Sequence, residues 1–427
     1  MQITTSQTQF IFPSQPPPFE DKQVLSLSHI DTDPNLLIPI RYIRAYANTN
    51  PPTNDDPFAV ITNSLSQALV HYYPFTGILK HSPEDNRLEL VCARGRGVPV
   101  VSATANGNLA SISYLDDLVD HVVEQLVPNL SLEESLVNPL VLQVTVFECG
   151  GFCLGACVNN TVCDGLGATQ FFNAMAEFAH GAARPSVEPV WNRERLLGPR
   201  EPPKVGFPLH EFLHLDEEFK AYSEPAGLVV RECFHVKEDQ LDRFKKRLVE
   251  ESGLNFTSFE ALGAFLWRAR VKAAEVPGDE VVKFAYSVNI RKLVKPSLPV
   301  GYWGNGCVPM YVKLPAKDLV QQPIWKTAEL IKKSKENATD EYVHSFIDFQ
   351  AINYGKGITA GKGVSGFTDW RHLGHSSVDF GWGDPVNILP LSRHLLGSAE
   401  PCFFLPYSLA NEEKKNGFKV LVYLPEI

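Results

Sequence analysis

Two side chains in the stretch Cys157–Phe172, CVNNTVCDGLGATQFF, are of types that could do chemistry: the Asn160 amide and the Asp164 carboxylate, four positions apart. An amide both donates and accepts hydrogen bonds, so Asn160 could position a reactant or stabilise an oxyanion, but it takes up no proton at neutral pH. A carboxylate at 164 could act as a base, or simply cap the helix that follows. A second cluster, DFGWG at Asp379–Gly383, lies roughly 215 positions further on. By itself it reads as a tight bend with a buried indole.

Other patterns invite catalytic readings and lack the context those readings need. His210-Glu211-Phe212-Leu213-His214 fits H-E-x-x-H, in which a helix would bring two imidazoles to one face to hold zinc. Here it follows Pro208 in a proline-rich stretch without helical period, so no metal is expected. Gly355–Gly366, GKGITAGKGVSG, imitates a phosphate loop, but Gly357 precedes Gly361-Lys362 by one residue too few. Gly363 also stands where the hydroxyl should be, and the stretch reads as a flexible surface loop. No G-x-G-x-x-G follows a strand, which disfavours a nicotinamide enzyme. His372 and His375 precede DFGWG, with surface histidines as the plain reading.

Alternating strands and amphipathic helices must position these groups. Phe58–Tyr72 has apolar residues at helical spacing and stops before Pro74. Leu140–Phe147 and Phe152–Val158 predict buried strands joined by a turn at Glu148–Gly151. From Leu166, the set Ala168, Phe171, Phe172, Met175 and Ala179 predicts one helix face. Strand, loop and helix place Asn159–Gly165 at a strand's carboxyl end, where α/β proteins commonly hold ligands. The proline-rich span 183–227 predicts a crossover between two α/β domains, 1–182 and 228–427. Beyond it come a strand from Leu228, a helix over Ser258–Lys272 and a strand over Val281–Arg291.

Composition narrows the function classes. The 427 residues are 44% apolar and 21% charged, enough for two cores. With 49 acidic against 39 basic residues and no basic run, nucleic acid and membranes are not expected partners. The start, MQITTSQTQFIFPSQPPPFED, shows no basic stretch leading into an apolar one, so no secretory signal is read there. No apolar run approaches a membrane span, which takes about 20 residues. Eight cysteines make no disulfide framework, and Cys149, Cys153 and Cys157 read as small hydrophobes of a hairpin. The expectation is a reduced, cytoplasmic monomer.

Taken together and in order, the motifs resemble the plant BAHD acyltransferases, which move acyl groups from coenzyme A thioesters to alcohols or amines. YYPFTGILK (Tyr72–Lys80), PLVLQVTVFECGGFCLGACVNNTVCDGLGATQF (Pro139–Phe171), VNIRKLVKPSLPVGYWGN (Val288–Asn305) and VDFGWGDP (Val378–Pro385) carry the likeness over nearly the whole chain. The wording of CDGLGATQF and EPVWNRERLL is similar to the branch using benzoyl-type groups. The resemblance implies an α/β fold of two chloramphenicol-acetyltransferase-like domains with mixed sheets and a solvent channel between them. Acyl-CoA would be a cosubstrate, with no permanently bound cofactor, and a small-molecule acceptor would enter from the other face. The family's HxxxD loop falls on Asn160 and Asp164, with asparagine where the family has its histidine. Asp164 is implied to pair with Arg291, and Asp379, Gly381 and Gly383 to be structural, while Trp382 lines the reaction zone. Ser258, Arg268 and Lys272 are the implied candidates for holding the coenzyme.

In that family the histidine takes the acceptor's proton as it attacks the thioester, a task suited to a pKa near neutrality. A positioned base is typically worth ~10²–10⁴-fold, whereas orienting both reactants can supply about 7–11 kcal/mol. Transfer can therefore survive without the imidazole, most readily to a neutral amine or an acidic phenol. Three readings stay open: weakened or rerouted transfer, including a lyase or rearrangement step; a non-catalytic binder of acyl-CoA or metabolite; or a deliberate His→Asn replacement.

Overall fold

The run Leu140–Phe147 and its partner Phe152–Asn159 form an antiparallel hairpin at the centre of a six-stranded sheet. All eight residues of the second strand are buried, which is why its sequence, FCLGACVN, is apolar throughout rather than alternating. The computed structural model describes residues 1–48, 55–116, 120–216, 229–361, 363–398, 400–410 and 416–425. In this first sheet the strand order is Ile3–Ile11, Val98–Ala105, Leu140–Phe147, Phe152–Asn159, Pro39–Tyr46 and Asn387–Pro390. One pairing, Val98–Ala105 with Leu140–Phe147, is parallel and the rest are antiparallel. Helices Pro57–His71 and Gly165–Ala179 cover one face, burying Leu65, Leu69, Phe171 and Phe172 in a common core.

The second sheet runs Val229–Lys237, Gly417–Pro425, Cys402–Pro406, Val364–Asp369, Val281–Asn289 and Cys307–Pro315, again mixed. Its core packs beneath the helices Ser258–Ala273 and Ile324–Ser334, with Trp267, Phe284 and Ile331 fully buried. A third apolar cluster joins the sheets, bringing Ile43 and Leu389 against Phe403 and Leu421.

The observed elements follow the sequence signals closely. The helix predicted over 58–72 runs Pro57–His71, started by Asp56, whose side chain accepts from the Phe58 amide, and by proline at its first position. The helix predicted from Ser258 ends at Ala273 and opens with a Thr257–Glu260 capping box. Two readings need correction. Strand Asn387–Pro390 leaves the second half of the chain and pairs with Pro39–Tyr46 of the first sheet, so sheet membership crosses the division at 228. The glycine-rich stretch is not a loop throughout. Gly357–Thr359 pairs with His214–Asp216, and Val364–Asp369 is a buried strand beside Val281–Asn289. Apolar Ile358 and Val364 decide this, since both are buried. Within the connector, Ser223–Gly227 and the rest of 217–228 lie outside the described residues, as does Lys362.

Helix Gly165–Ala179 approaches the 301–306 turn so closely that a Cβ on Gly167 would lie 2.0 Å from the Trp303 carbonyl oxygen. Gly167→Ala should therefore cost about 1–3 kcal/mol by overpacking, measurable as a lowered urea midpoint. Wild-type stability in this variant would contradict the contact.

Candidate active site

The sequence places Asp164 at the first turn of a helix and the resemblance pairs it with Arg291; the structure has both contacts. The Asp164 side chain caps the helix by accepting from Gly167 N at 2.8 Å. Arg291, from the turn after strand Val281–Asn289, meets it bidentately, Nη1 to Oδ2 at 2.8 Å and Nη2 to Oδ1 at 2.9 Å. Gly306 N also donates to Oδ2 at 2.9 Å. Burial alone would raise this carboxyl, but the Arg291 charge and the donated hydrogen bonds hold it below the usual carboxylate range. Asp164 is thus ionised and fully engaged, an architectural group rather than a base.

Three further residues fix the loop. Asn305 donates through its backbone N and Nδ2 to Asp31 Oδ1, both at 3.0 Å, and through Nδ2 to the Asn160 carbonyl at 2.8 Å. Arg193, fully buried, lies 3.3 Å from Asp31 Oδ1 and donates to the Thr161 and Val162 carbonyls. The connector thus contributes a structural cation to the loop. Asn160 N donates to Ile38 O at 2.9 Å. Among the described residues its side-chain amide has no protein hydrogen bond, and it lines a cavity of about 620 Å³ between the two sheets. That size suits a small ligand. The cavity has walls from both halves, among them Ile40 and Tyr42 on one side and Phe259, Tyr286 and Trp370 on the other.

The remaining polar groups of the cavity sort by what already holds them. Lys335 pairs with Glu260 at 2.6 Å, and Asp369 with Arg371 at 2.6 Å. Burial pushes the Cys163 and Cys307 thiols far up, so neither supplies a thiolate. His375 is only 4% exposed, not a surface histidine, and lines the cavity. Its Nδ1 lies 3.1 Å from Arg44 Nη2 and 3.1 Å from Thr169 Oγ1. A guanidinium only donates, so Nδ1 must accept and the ring hydrogen sits on Nε2, which has no protein partner. Burial and the Arg44 charge hold its pKa well below the ordinary value. His375 can offer a hydrogen bond but cannot take a proton. Asp33 is 6% exposed and also lines the cavity. Burial pushes its carboxyl up to about 6, opposed by the hydrogen bonds that Asn35 donates.

Several expected positions fall elsewhere. Trp382 does not line the cavity; its indole packs edge-on against Phe152, centroids 5.1 Å apart, inside the first core. Gly381 and Gly383 have φ of +104° and +79°, a turn that favours glycine, and Asp379 Oδ1 accepts from Gly381 N at 2.7 Å. None of Ser258, Arg268 and Lys272 lines the cavity. Arg268 is occupied in capping a helix end, donating to the Leu319 and Gln322 carbonyls, and Lys272 is exposed. Ser258 adjoins Phe259, which does line it. His372 is exposed. His210 and His214 lie on a 3₁₀ turn and a strand, so they share no helical face, and Glu211 is paired with Lys313 at 2.8 Å. Asp31, Asp33, Arg193 and Lys335 were not singled out beforehand. Only the polar run in LSHIDTDPN signals the first two, and nothing local signals the others.

Two stability measurements test these assignments. Arg291→Met leaves a buried carboxylate unpaired and should cost about 3–5 kcal/mol at neutral pH. Because the Asp164 pKa is lowered on folding, its contribution is present above the unfolded value of 3.8, so the deficit should shrink as pH falls below it. Asp33 has the opposite sign. Ionised and buried, it opposes folding, so Asp33→Asn should stabilise by roughly 3 kcal/mol at pH 8. That gain should vanish as pH falls from about 6 to 3.8.

The comparisons with known proteins agree with this geometry. The chain matches the model of the Transferase family over residues 1–427. It is 35% identical to spermidine coumaroyl-CoA acyltransferase of Arabidopsis thaliana over 421 residues, covering 94% of this chain and 89% of that one. It is 34% identical to 3'-N-debenzoyl-2'-deoxytaxol N-benzoyltransferase of Taxus canadensis, covering 96% and 90%. The crystal structure of vinorine synthase superposes with a TM-score of 0.73 at 21% identity, over 100% of this chain and 95% of that one. No helix among the described residues is long and apolar enough to cross a membrane. The two mixed-sheet halves with a cavity between them are the expected fold, and the chain belongs to the Transferase family, that of the BAHD acyltransferases its motifs resemble.

Proposed function

We propose that this protein transfers an aromatic acyl group from an acyl-CoA thioester to an amine of a small plant metabolite, with Asn160 holding the reactants where the family's histidine would take a proton. The observation that carries this reading is the Asn160 amide facing a cavity built from both sheets, on a loop held by Asn305 and Arg291. An amine suits that arrangement. Its nitrogen lone pair attacks the thioester carbonyl without prior loss of a proton, so positioning supplies most of what the step needs. Developing charge on the carbonyl oxygen is met by donors that are already fixed. Two such donors line the cavity, Asn160 Nδ2 and the neutral His375 ring. The matched relatives named for spermidine and for N-benzoyl transfer support an amine acceptor.

Supporting parts follow the same reading. Phe259 and Lys335 mark the coenzyme's side of the cavity, with Ser258 next to it. The two sheets carry the two walls, with strand Asn387–Pro390 from the second half of the chain clamped into the first sheet. The same reading has the protein work as a monomer in the cytoplasm.

The test is release of free coenzyme A from a panel of aromatic and aliphatic acyl-CoAs offered with matched amines and alcohols. Amide formation should exceed ester formation, and Asn160→His should raise turnover of alcohols more than that of amines. Tight acyl-CoA binding with no release by either protein would overturn the transferase reading in favour of a binder.

A further inference from the structure

Resting on the transferase reading, we propose that Asp33 is the catalytic proton acceptor of this cavity, taking over from a new direction the task that Asn160 cannot perform. The argument begins with which groups remain available. Of the acidic and basic side chains lining the cavity, Asp164 is held by Arg291, Asp369 by Arg371 and Lys335 by Glu260. His375 presents a hydrogen where a base needs a lone pair, because Arg44 occupies its Nδ1. Asp33 is the carboxylate there with no cation recorded against it among the described residues.

Its position is fixed by the loop it would serve. Asp31, two residues earlier, accepts from Asn305, which also holds the Asn160 carbonyl. Leu36, three residues later, accepts from Thr161 at 3.5 Å, and Ile38 accepts from Asn160 N. Two residues of chain span at most about 7 Å. Asp33 therefore lies in a segment fastened to the Asn160 loop at both ends, and both residues line the same cavity. One of its oxygens is oriented: Oδ1 accepts from Asn35 N at 2.9 Å and from Asn35 Nδ2 at 2.8 Å. The carboxylate faces amides rather than charges, with Asn35 on its own turn and Gln350 from the Asp340–Ile352 helix. The nearby charged groups are already matched: Asp31 lies against Arg193, and Asp348 of that helix is 2.6 Å from Arg200. Leu395 and Leu396 add apolar surface to the same cavity. An unpaired carboxylate in such surroundings binds a proton near pH 6, where a general base is effective.

The step balances without any added reagent. The acceptor nitrogen forms its bond to the thioester carbon, and the carbonyl electron pair moves to oxygen. Asp33 takes the N–H proton. The oxyanion then re-forms the carbonyl, the C–S bond breaks, and the departing thiolate recovers the proton, giving an amide and free coenzyme A.

The experiment uses the protein with an aromatic acyl-CoA and an electron-poor aryl amine, uncharged over roughly pH 5 to pH 8, so that the amine's own titration does not imitate that of the base. Wild type should show kcat/KM falling as pH drops below about 6. Asp33→Asn, which can still accept the Asn35 hydrogen bonds, should lower kcat/KM by ~10²–10⁴-fold and lose that acid limb. Adding Asn160→His to the Asp33→Asn protein should restore most of the rate, which repair of a structural defect would not do. An Asp33→Asn protein as fast as wild type with the same acid limb overturns Asp33 alone. A double variant no faster than Asp33→Asn also counts against it. Wild type that transfers no acyl group at any pH overturns the transferase reading, and the role of Asp33 with it.

Discussion

The bidentate contact between Asp164 and Arg291 is the constraint on which the rest of the site depends. It joins the first turn of a helix on one sheet to the turn leaving a strand of the other. Both groups are largely buried, so neither can be ionised there at tolerable cost without its partner. The pair therefore fixes how the two halves meet, and the cavity between the sheets exists because they meet at that point. Asn305, Asp31 and Arg193 extend the tie on one side until the backbone of residues 160–162 has hydrogen-bond partners on three of its carbonyls. The Asn160 side-chain amide, which this loop presents to the cavity, has no protein hydrogen bond among the described residues.

That arrangement separates shape from chemistry. Acyl transfer as proposed needs a framework that brings two reactants together and a group that moves one proton. Here the 160–164 loop is tied down by named hydrogen bonds, and the side chain it presents to the cavity is an amide, which takes up no proton. The polar groups around the cavity divide into those whose charge is matched and those whose protonation burial has shifted. Asp164 falls in the first class. His375 and Asp33 fall in the second, with opposite consequences: one becomes a fixed donor, the other a group that holds its proton to a higher pH than usual. A buried carboxylate without a cation opposes folding, and its presence on a cavity wall is the pattern by which functional sites trade stability for reactivity.

Much of the fold was legible because its signals are local. The hairpin strands are uniform apolar runs, and the helices at Pro57, Gly165 and Ser258 each begin at a capping side chain. The Asp164–Arg291 pair came from the motif resemblance and stands in the coordinates. What could not be read depended on long-range geometry. Trp382 was expected at the reaction zone, but Phe152, distant in sequence, draws its indole into the core. Arg268 was expected to reach the coenzyme, yet a helix end carrying unpaired carbonyls lies closer. Arg193 lies in a proline-rich span that offered no period to interpret, and its role depends on a carboxylate 162 positions away. His375 looked like a surface residue because its buried partner, Arg44, is on a strand 331 positions away in sequence.

The central claim is that both reactants meet in front of the Asn160 amide, inside the cavity between the sheets. A crystal structure of the protein with a non-hydrolysable acyl-CoA analogue and an amine acceptor tests it most directly. The account predicts the thioester-mimicking carbonyl and the acceptor nitrogen side by side in that cavity, with the Asn160 side chain within hydrogen-bond distance of one of them. Density for the acyl group in a different part of the molecule, or an Asn160 amide turned away from both ligands, would contradict it.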